Sequence, residues 1–238
     1  MKRILIIGAS RGLGGALNRW LPERGDTVWL VSRTQPWLDE ADGVTRRWIQ
    51  ADLAQPEAAP RIAEALGGGR LDVVIYNAGI WEDSAFGSEY DFERVAPEEN
   101  DRILTVNLSA AIHCIQRLIP NLRESTNGKL VLIGSTSGLE NIGAREVAYN
   151  ASKMGLRGAA HALREDLRPD GIGVTIVNPG SFAGEAEYET SAEEIARRHN
   201  GELMPMQDLV ALIKCVVSLT RATVVKEIDV PALGDLGA

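Results

Sequence analysis

The chain has 238 residues, 45% hydrophobic and 24% charged, which is enough apolar material for the core of a single α/β domain. Its 25 Lys and Arg against 33 Asp and Glu leave a formal charge of −8, so no basic surface is offered to nucleic acid. Two distant cysteines and three histidines supply neither a disulfide framework nor a metal-ligand cluster, and no metal is expected.

The N-terminal MKRILIIGASRG carries an apolar run, Ile4–Ile7, that stops at Gly8. That is too short for a signal peptide, and no continuous apolar run nears the roughly 18 residues of a membrane span. A cytoplasmic protein without membrane or nucleic-acid partners is expected. The run reads as the first strand. Further strands are expected at Thr27–Val31, Arg47–Gln50, Leu71–Tyr76, Lys129–Ile133, Val174–Asn178 and Glu227–Val230. Several are unbroken Val/Ile/Leu runs, as parallel strands covered on both faces require. Helical patterns near 13–24, 57–66, 98–123, 149–167 and 205–219 alternate with them. About seven strands so interleaved predict a doubly wound parallel sheet in three α/β/α layers, one domain over 1–238. Two stretches read as irregular, 81–97 and the acidic 181–205, and the second is expected to be a substrate loop.

Chemistry-bearing residues first appear after that opening strand, in GASRGLGGA. Gly8, Gly12 and Gly14 permit a tight turn and remove the Cβ atoms that would keep a phosphate from backbone N–H groups. The following helix start adds unpaired donors and a positive dipole end, so the turn predicts a dinucleotide site. The second strand ends at Ser32 and Arg33, with no carboxylate to grip the ribose hydroxyls of NAD. Arg11 and Arg33 suit a 2′-phosphate instead, which favours NADP over NAD as the alternative.

Farther on, Tyr149 and Lys153 in YNASK stand four residues apart, on one helix face. A neighbouring cation lowers a phenol's pKa toward the range useful for proton transfer. Ser135 closes the strand KLVLIGS. Asn107 lies on an otherwise apolar stripe with Ile103, Ala111, Cys114 and Leu118, where a buried amide must find partners.

This ordered set resembles the short-chain dehydrogenase/reductase (SDR) family over nearly the whole chain. Ala51–Leu53 resembles its adenine-contacting Asp-hydrophobic pair, YNAG at 76–79 its N-N-A-G strand end, and NPG at 178–180 its Pro-Gly turn. The resemblance implies a Rossmann-type fold and Asn107, Ser135, Tyr149 and Lys153 as catalytic residues. It implies cofactor contacts from Gly8, Ser10, Arg11, Gly12, Leu13 and Gly14, and from Ser32, Arg33, Asp52 and Leu53. Asn77, Ala78, Gly79, Pro179, Gly180 and Phe182 complete that set, with Tyr149 and Lys153. Ile7 and Tyr76 depart from the family's residues, a change expected to loosen local hydrogen bonds. Fourteen positions separate Ser135 from Tyr149, which leaves Thr136 and Ser137 as alternative hydroxyls, and the Thr that often follows Pro-Gly has no counterpart around Gly184.

By that resemblance NADPH delivers hydride to a carbonyl carbon while Tyr149 protonates the oxygen, Ser135 holds it and Lys153 depresses the Tyr149 pKa. Asn107 is expected to hold a water that links Lys153 to solvent. Trp81, Ser137, Leu139, Asn141, Phe182, Tyr188 and Met204 are candidate pocket liners for a small carbonyl or alcohol substrate. The alternative is a cofactor sensor of the same fold that has lost its chemistry. Small residues such as Ala110, Ala111, Gly155, Gly158, Ala159 and Ala160 on two helices suggest a homodimer or homotetramer.

Overall fold

The structure, a computed structural model, describes residues 1–140 and 144–235. Among them seven strands form one parallel sheet: β1 (Arg3–Ile7), β2 (Thr27–Ser32), β3 (Thr45–Gln50), β4 (Val73–Tyr76), β5 (Lys129–Ile133), β6 (Gly173–Pro179) and β7 (Glu227–Val230). Their order is β3-β2-β1-β4-β5-β6-β7, so the winding reverses between β1 and β4. Connections there leave in opposite directions, and a crevice opens beyond the strand ends. The fold is the expected Rossmann-type single domain.

The unbroken apolar strands are explained by cover on both faces. Ile4 and Ile6 of β1 face one core layer with Leu13 and Leu17 of α1 (Gly12–Trp20). Leu5 and Ile7 face the opposite layer, with Ile62 of α2 (Ala58–Leu66) and Cys114 and Leu118 farther along the chain. Helix α1 stops four residues short of the expected end because Pro22 has no N–H with which to continue the helical hydrogen bonds. Strand β3 begins two residues early and β4 two residues late, a boundary shift that apolar patterning alone does not resolve.

The expected helix at 98–123 is α3 (Pro97–Leu104), a π turn at Thr105–Ser109 and α4 (Ala110–Arg123) in continuous succession. This 27-residue run is long and apolar enough by composition to cross a membrane, which a search for consecutive apolar residues overlooks. In the fold Ile103, Ala111, Cys114 and Leu118 of its apolar stripe are buried, and the last three pack in the sheet's core. Tyr76, the departure at the β4 end, does not loosen the local bonding. Its hydroxyl donates to the Val106 carbonyl at 2.6 Å and ties β4 to the π turn.

Helix α5 (Val147–Asp166) packs against β6, and α7 (Met206–Ser218) lies beside α1. The stretch 181–205 is more ordered than its sequence suggested. Phe182 pairs with Met204 across its base, and α6 (Ala192–Arg198) forms inside it. Ser191 caps that helix by accepting from the Glu194 N–H at 3.2 Å. The small residues of α4 and α5 serve packing within the subunit at several positions. Ala111 and Ala160 are fully buried, and a Cβ on Gly155 would lie 2.7 Å from a Leu108 methyl.

Candidate active site

The crevice lies at the β1/β4 switch point. Gly8 turns the chain with φ +89°, and a Cβ there would meet the Ala78 nitrogen at 2.6 Å. Gly12 also has positive φ, and its open side meets no atom within 4 Å. Gly14 does not face the crevice. Its missing Cβ lets the helix sit on the turn, since one would fall 1.9 Å from the Gly8 oxygen. Asn77 completes the turn by donating to that oxygen at 2.8 Å.

Ser10, Arg11 and Leu13 line the same crevice, as do Ser32, Arg33, Asp52, Leu53, Ala78 and Gly79. Phe182 and Trp81 reach it from the loops. The Ser32 hydroxyl is engaged, donating to the Thr34 carbonyl at 2.6 Å and accepting from the Trp48 indole at 3.1 Å. The exposed Arg33 guanidinium stands beside it. A second hollow shares Arg33, Ala51 and Asp52 and runs on to Arg61, so the two form one trench. Arg102, Val106 and Ile80 also line the crevice and were not singled out in the sequence. They become neighbours only because the α3–α4 helix passes over the β4 end.

The catalytic candidates converge at the other side of Gly79. Ser135 lies two residues beyond β5, and its Oγ accepts from the Ser137 N–H at 3.2 Å. The 3-10 turn Thr136–Gly138 follows, with Thr136 buried and Ser137 half-buried, so Ser135 is the hydroxyl beside Tyr149. The Lys153 ammonium lies 5.6 Å from the Tyr149 ring centre and 3.3 Å from where a Gly79 Cβ would be. It donates to the Ile133 carbonyl at 3.0 Å. Burial brings its pKa down from 10.5 to about 8.

Burial also raises the Tyr149 phenol above its ordinary 10.0; the Ser135 hydroxyl opposes the rise, while the negative charges of Glu146 and Glu82 add to it. This corrects the expectation of a phenol lowered by Lys153. The ammonium is aimed at a strand carbonyl, and desolvation decides the direction. Asn107 sits in the π turn, where a locally widened helix admits its side chain to the site. Its amide accepts from the Ile80 N–H and donates to the Ile80 carbonyl, both at 2.8 Å, and donates to Ser152 at 2.9 Å. These three bonds fasten the loop after β4 to α5.

Three other residues sit differently from expectation. Pro179 and Gly180 stay outside the crevice lining, and the Gly180 N–H donates to Val230 at 2.9 Å beyond the β6 end. Tyr188 lies against α1: its hydroxyl donates to the Gly12 carbonyl and its ring meets Trp20 at 5.5 Å. The loop folds back across the glycine turn, a path no local pattern announces. Asn141 lies outside the described residues. Leu139 is half-buried and Met204 buried.

Two features were not anticipated. Glu185 places a carboxylate oxygen 3.2 Å from the Gly12 nitrogen, at the donor a phosphate would use. Phe86 meets Tyr149 edge-on at 5.6 Å and Trp81 at 5.8 Å, so two aromatic rings frame the phenol.

A family model described as short chain dehydrogenase matches residues 2–195. The chain belongs to that family. Among curated relatives of this short-chain dehydrogenase is the rhamnolipids biosynthesis 3-oxoacyl-[acyl-carrier-protein] reductase of Pseudomonas aeruginosa. It is 29% identical over 215 residues, covering 85% of this chain and 81% of the relative. Solved structures with the same fold include L-sorbose reductase from Gluconobacter frateurii complexed with NADPH and L-sorbose, at TM-score 0.81 and 20% identity. That match covers 100% of this chain and 97% of the other. A 4-hydroxyisoleucine dehydrogenase complexed with NADH matches at TM-score 0.80 and 22% identity, with 100% of both chains covered.

Proposed function

We propose that the chain is an NADP(H)-dependent oxidoreductase that interconverts a carbonyl compound and a secondary alcohol, with NAD(H) as the alternative cofactor. The observation that carries this is the meeting of Ser135, Tyr149 and Lys153 where Gly79 borders the crevice.

A dinucleotide fits the residues present. The Gly12 N–H already holds an anionic oxygen, and the open side of Gly12 leaves room for a diphosphate. Ser10, Arg11 and Gly12 would hold the phosphates, Asp52 and Leu53 the adenine, and Arg33 a 2′-phosphate. The absence of a carboxylate at the β2 end supports NADP, as does the NADPH bound by L-sorbose reductase; the NADH-bound neighbour keeps NAD as the alternative. When bound, the nicotinamide supplies or accepts the hydride. Ser135 holds the substrate oxygen by donating to it. The raised pKa keeps Tyr149 protonated at neutral pH, the state a proton donor needs, and in the reducing direction its proton goes to that oxygen. In the oxidising direction Tyr149 takes the proton back.

Trp81 and Phe86 remain about half exposed beside Tyr149, at 54% and 60%, which supports a substrate with an apolar part. The exposed Ile112, Val147 and Met154 on α4 and α5 support a homo-oligomer. Assay with NADPH and a panel of aldehydes, ketones and 3-oxo esters tests the reading. Wild type is expected to turn over, which separates an enzyme from a nucleotide sensor. Tyr149→Phe is expected to bind NADPH normally and lose turnover; near-normal activity in that variant removes the assignment.

A further inference from the structure

The loop that follows β4 buries a carboxylate beside the reacting phenol. Glu82 has no exposed surface, although Trp81 before it is half exposed. Its Oε1 accepts from the Ala148 N–H at 3.0 Å and from the Tyr149 N–H at 3.3 Å. Its Oε2 is buried without a hydrogen bond from the described residues. A buried carboxylate with one oxygen unspent is costly, and a neutral Ser, Thr or Asn caps a helix without that cost. Yet α5 supplies no cap of its own: Glu146 precedes it, with no side-chain cap hydrogen bond.

The rest of the junction is built from the same loop. Tyr90 accepts from the Val147 N–H at 3.0 Å, and Glu146 accepts from the Phe86 N–H at 2.8 Å and from the Arg145 N–H at 3.0 Å. The first three N–H groups of α5 are thus all held by side chains of the 81–90 loop. Neither nearby cation pairs with Glu82. The Arg145 guanidinium goes to the Gly87 carbonyl, and Lys153 goes to Ile133. The positive end of α5 is what faces the charge.

We propose that Glu82 is a positioning residue for Tyr149, fixing the first turn of α5 and setting the charge against which the phenol gives up its proton. This rests on the oxidoreductase reading above. The groups facing the phenol are Ser135 just after β5, Glu82 from the loop, Glu146 just before α5 and Lys153 from α5 itself. Trp81 and Phe86 add apolar edges. Burial is the largest cause of the raised Tyr149 pKa, and the two carboxylates add to it. Removing the Glu82 charge therefore lowers the phenol's pKa.

Three variants separate placement from charge. Glu82→Gln keeps an oxygen for both N–H donors and removes the charge. Its pH profile of kcat, with NADPH and the best ketone of the panel, is expected to shift its alkaline limb to lower pH, with NADPH affinity unchanged. Glu82→Asp keeps the charge on a shorter stem. It is expected to hold the wild-type limb while kcat falls. Glu82→Ala removes both, and kcat is expected to fall on the order of 10- to 100-fold, the usual cost of a misplaced reacting group. Circular dichroism reports whether each variant folds, and the Gln variant carries the test if the Ala variant does not. An unmoved limb in Glu82→Gln together with wild-type kcat in Glu82→Asp overturns the proposal. If Tyr149→Phe is inactive in that case, only the role of Glu82 fails; if it is active, the oxidoreductase reading itself fails.

Discussion

Replacing Lys153 by Met keeps an unbranched apolar stem of similar length and removes the ammonium that donates to Ile133 at 3.0 Å. Burial alone lowers the Lys153 pKa from 10.5 to about 8, a shift of 10.5 − 8, or about 2.5 units. At about 1.36 kcal/mol per unit, holding the charged form in the fold costs on the order of 3 kcal/mol. The sign follows from proton counts. Between pH 8 and 10.5 the unfolded chain binds more protons at this residue than the folded one, so its contribution to stability rises with pH across that window. Below pH 8 the full cost is present. The lost hydrogen bond subtracts about 1 kcal/mol from the gain of removing the charge. Lys153→Met is therefore expected to be more stable than wild type by about 2 kcal/mol at pH 7. That advantage shrinks through the window and ends as a deficit of about 1 kcal/mol above it. Cys114, raised to about 12 by burial, and the buried Tyr76, also raised, act equally in both proteins and cancel in the difference. Urea unfolding of the two proteins followed by tryptophan fluorescence across this pH range reads the difference directly. A difference independent of pH, or a less stable variant at pH 7, refutes the reasoning. The stabilised variant is also expected to have no turnover, since a residue kept at such cost is kept for its chemistry.

Three further outcomes follow from the cofactor end. Gly14→Ala puts a Cβ into the Gly8 oxygen and the Asn77 amide, so a loss of about 1–3 kcal/mol and failure to bind NADPH are expected by thermal unfolding and fluorescence titration; wild-type binding contradicts the assigned turn. Arg33→Ala is expected to weaken NADPH at least about 10-fold relative to NADH, the scale of one lost charge-assisted contact, and an unchanged ratio removes Arg33 from 2′-phosphate recognition. Glu185→Gln weakens the competitor now held by the Gly12 N–H, and NADPH is expected to bind about two- to five-fold tighter, the modest size fitting an exposed contact; unchanged affinity means the carboxylate leaves without resistance.

The sheet was legible because its strands are covered on both faces. Ile4–Ile7 had to be apolar throughout, and no half-buried strand shares that signature. The glycine turn was legible because Gly8 has no substitute at φ +89° against Ala78. Asn107 was visible as an amide within an apolar stripe. Its π turn was not, since nothing in TVNLS distinguishes five-residue from four-residue spacing; the contacts with Ile80 and Ser152 lie 27 and 45 positions away. Glu82 stood in a stretch read as irregular. The signal for it was indirect: α5 begins without a Ser, Thr, Asp or Asn to cap it, and a helix without its own cap must borrow one. The capping box Ser191–Glu194 was a plainer signal in 181–205, and it marks α6. Tyr188 was placed in the substrate pocket from chain position alone, whereas the loop's return over α1 is a tertiary event.

Buried charge is handled in two ways in this molecule, and the contrast locates the site more sharply than the motif does. Arg46 is buried and fully occupied: its guanidinium reaches Asn18 at 2.9 Å, Asp42 at 2.6 and 2.9 Å, and the carbonyls of Asn18 and Asp39. Arg164 likewise donates to the carbonyls of Val174 and Lys226. These cations lock strand and helix ends, and little donor capacity is left for a ligand. Lys153 is different. Among the described residues its ammonium has one hydrogen bond for three donors, and Glu82 across the phenol has one oxygen unspent. A fold tolerates such excess polarity in its interior only where something else completes it. Both residues flank Tyr149, Lys153 beside Gly79 and Glu82 from the loop after β4 against the first N–H groups of α5. The Lys153 ammonium lies 3.3 Å from where a Gly79 Cβ would be, while the Glu82 carboxylate is buried against the Ala148 and Tyr149 N–H groups. The phenol is thereby held between a buried cation and a buried anion, an arrangement in which a change of charge at either one alters the proton affinity of the group in the middle.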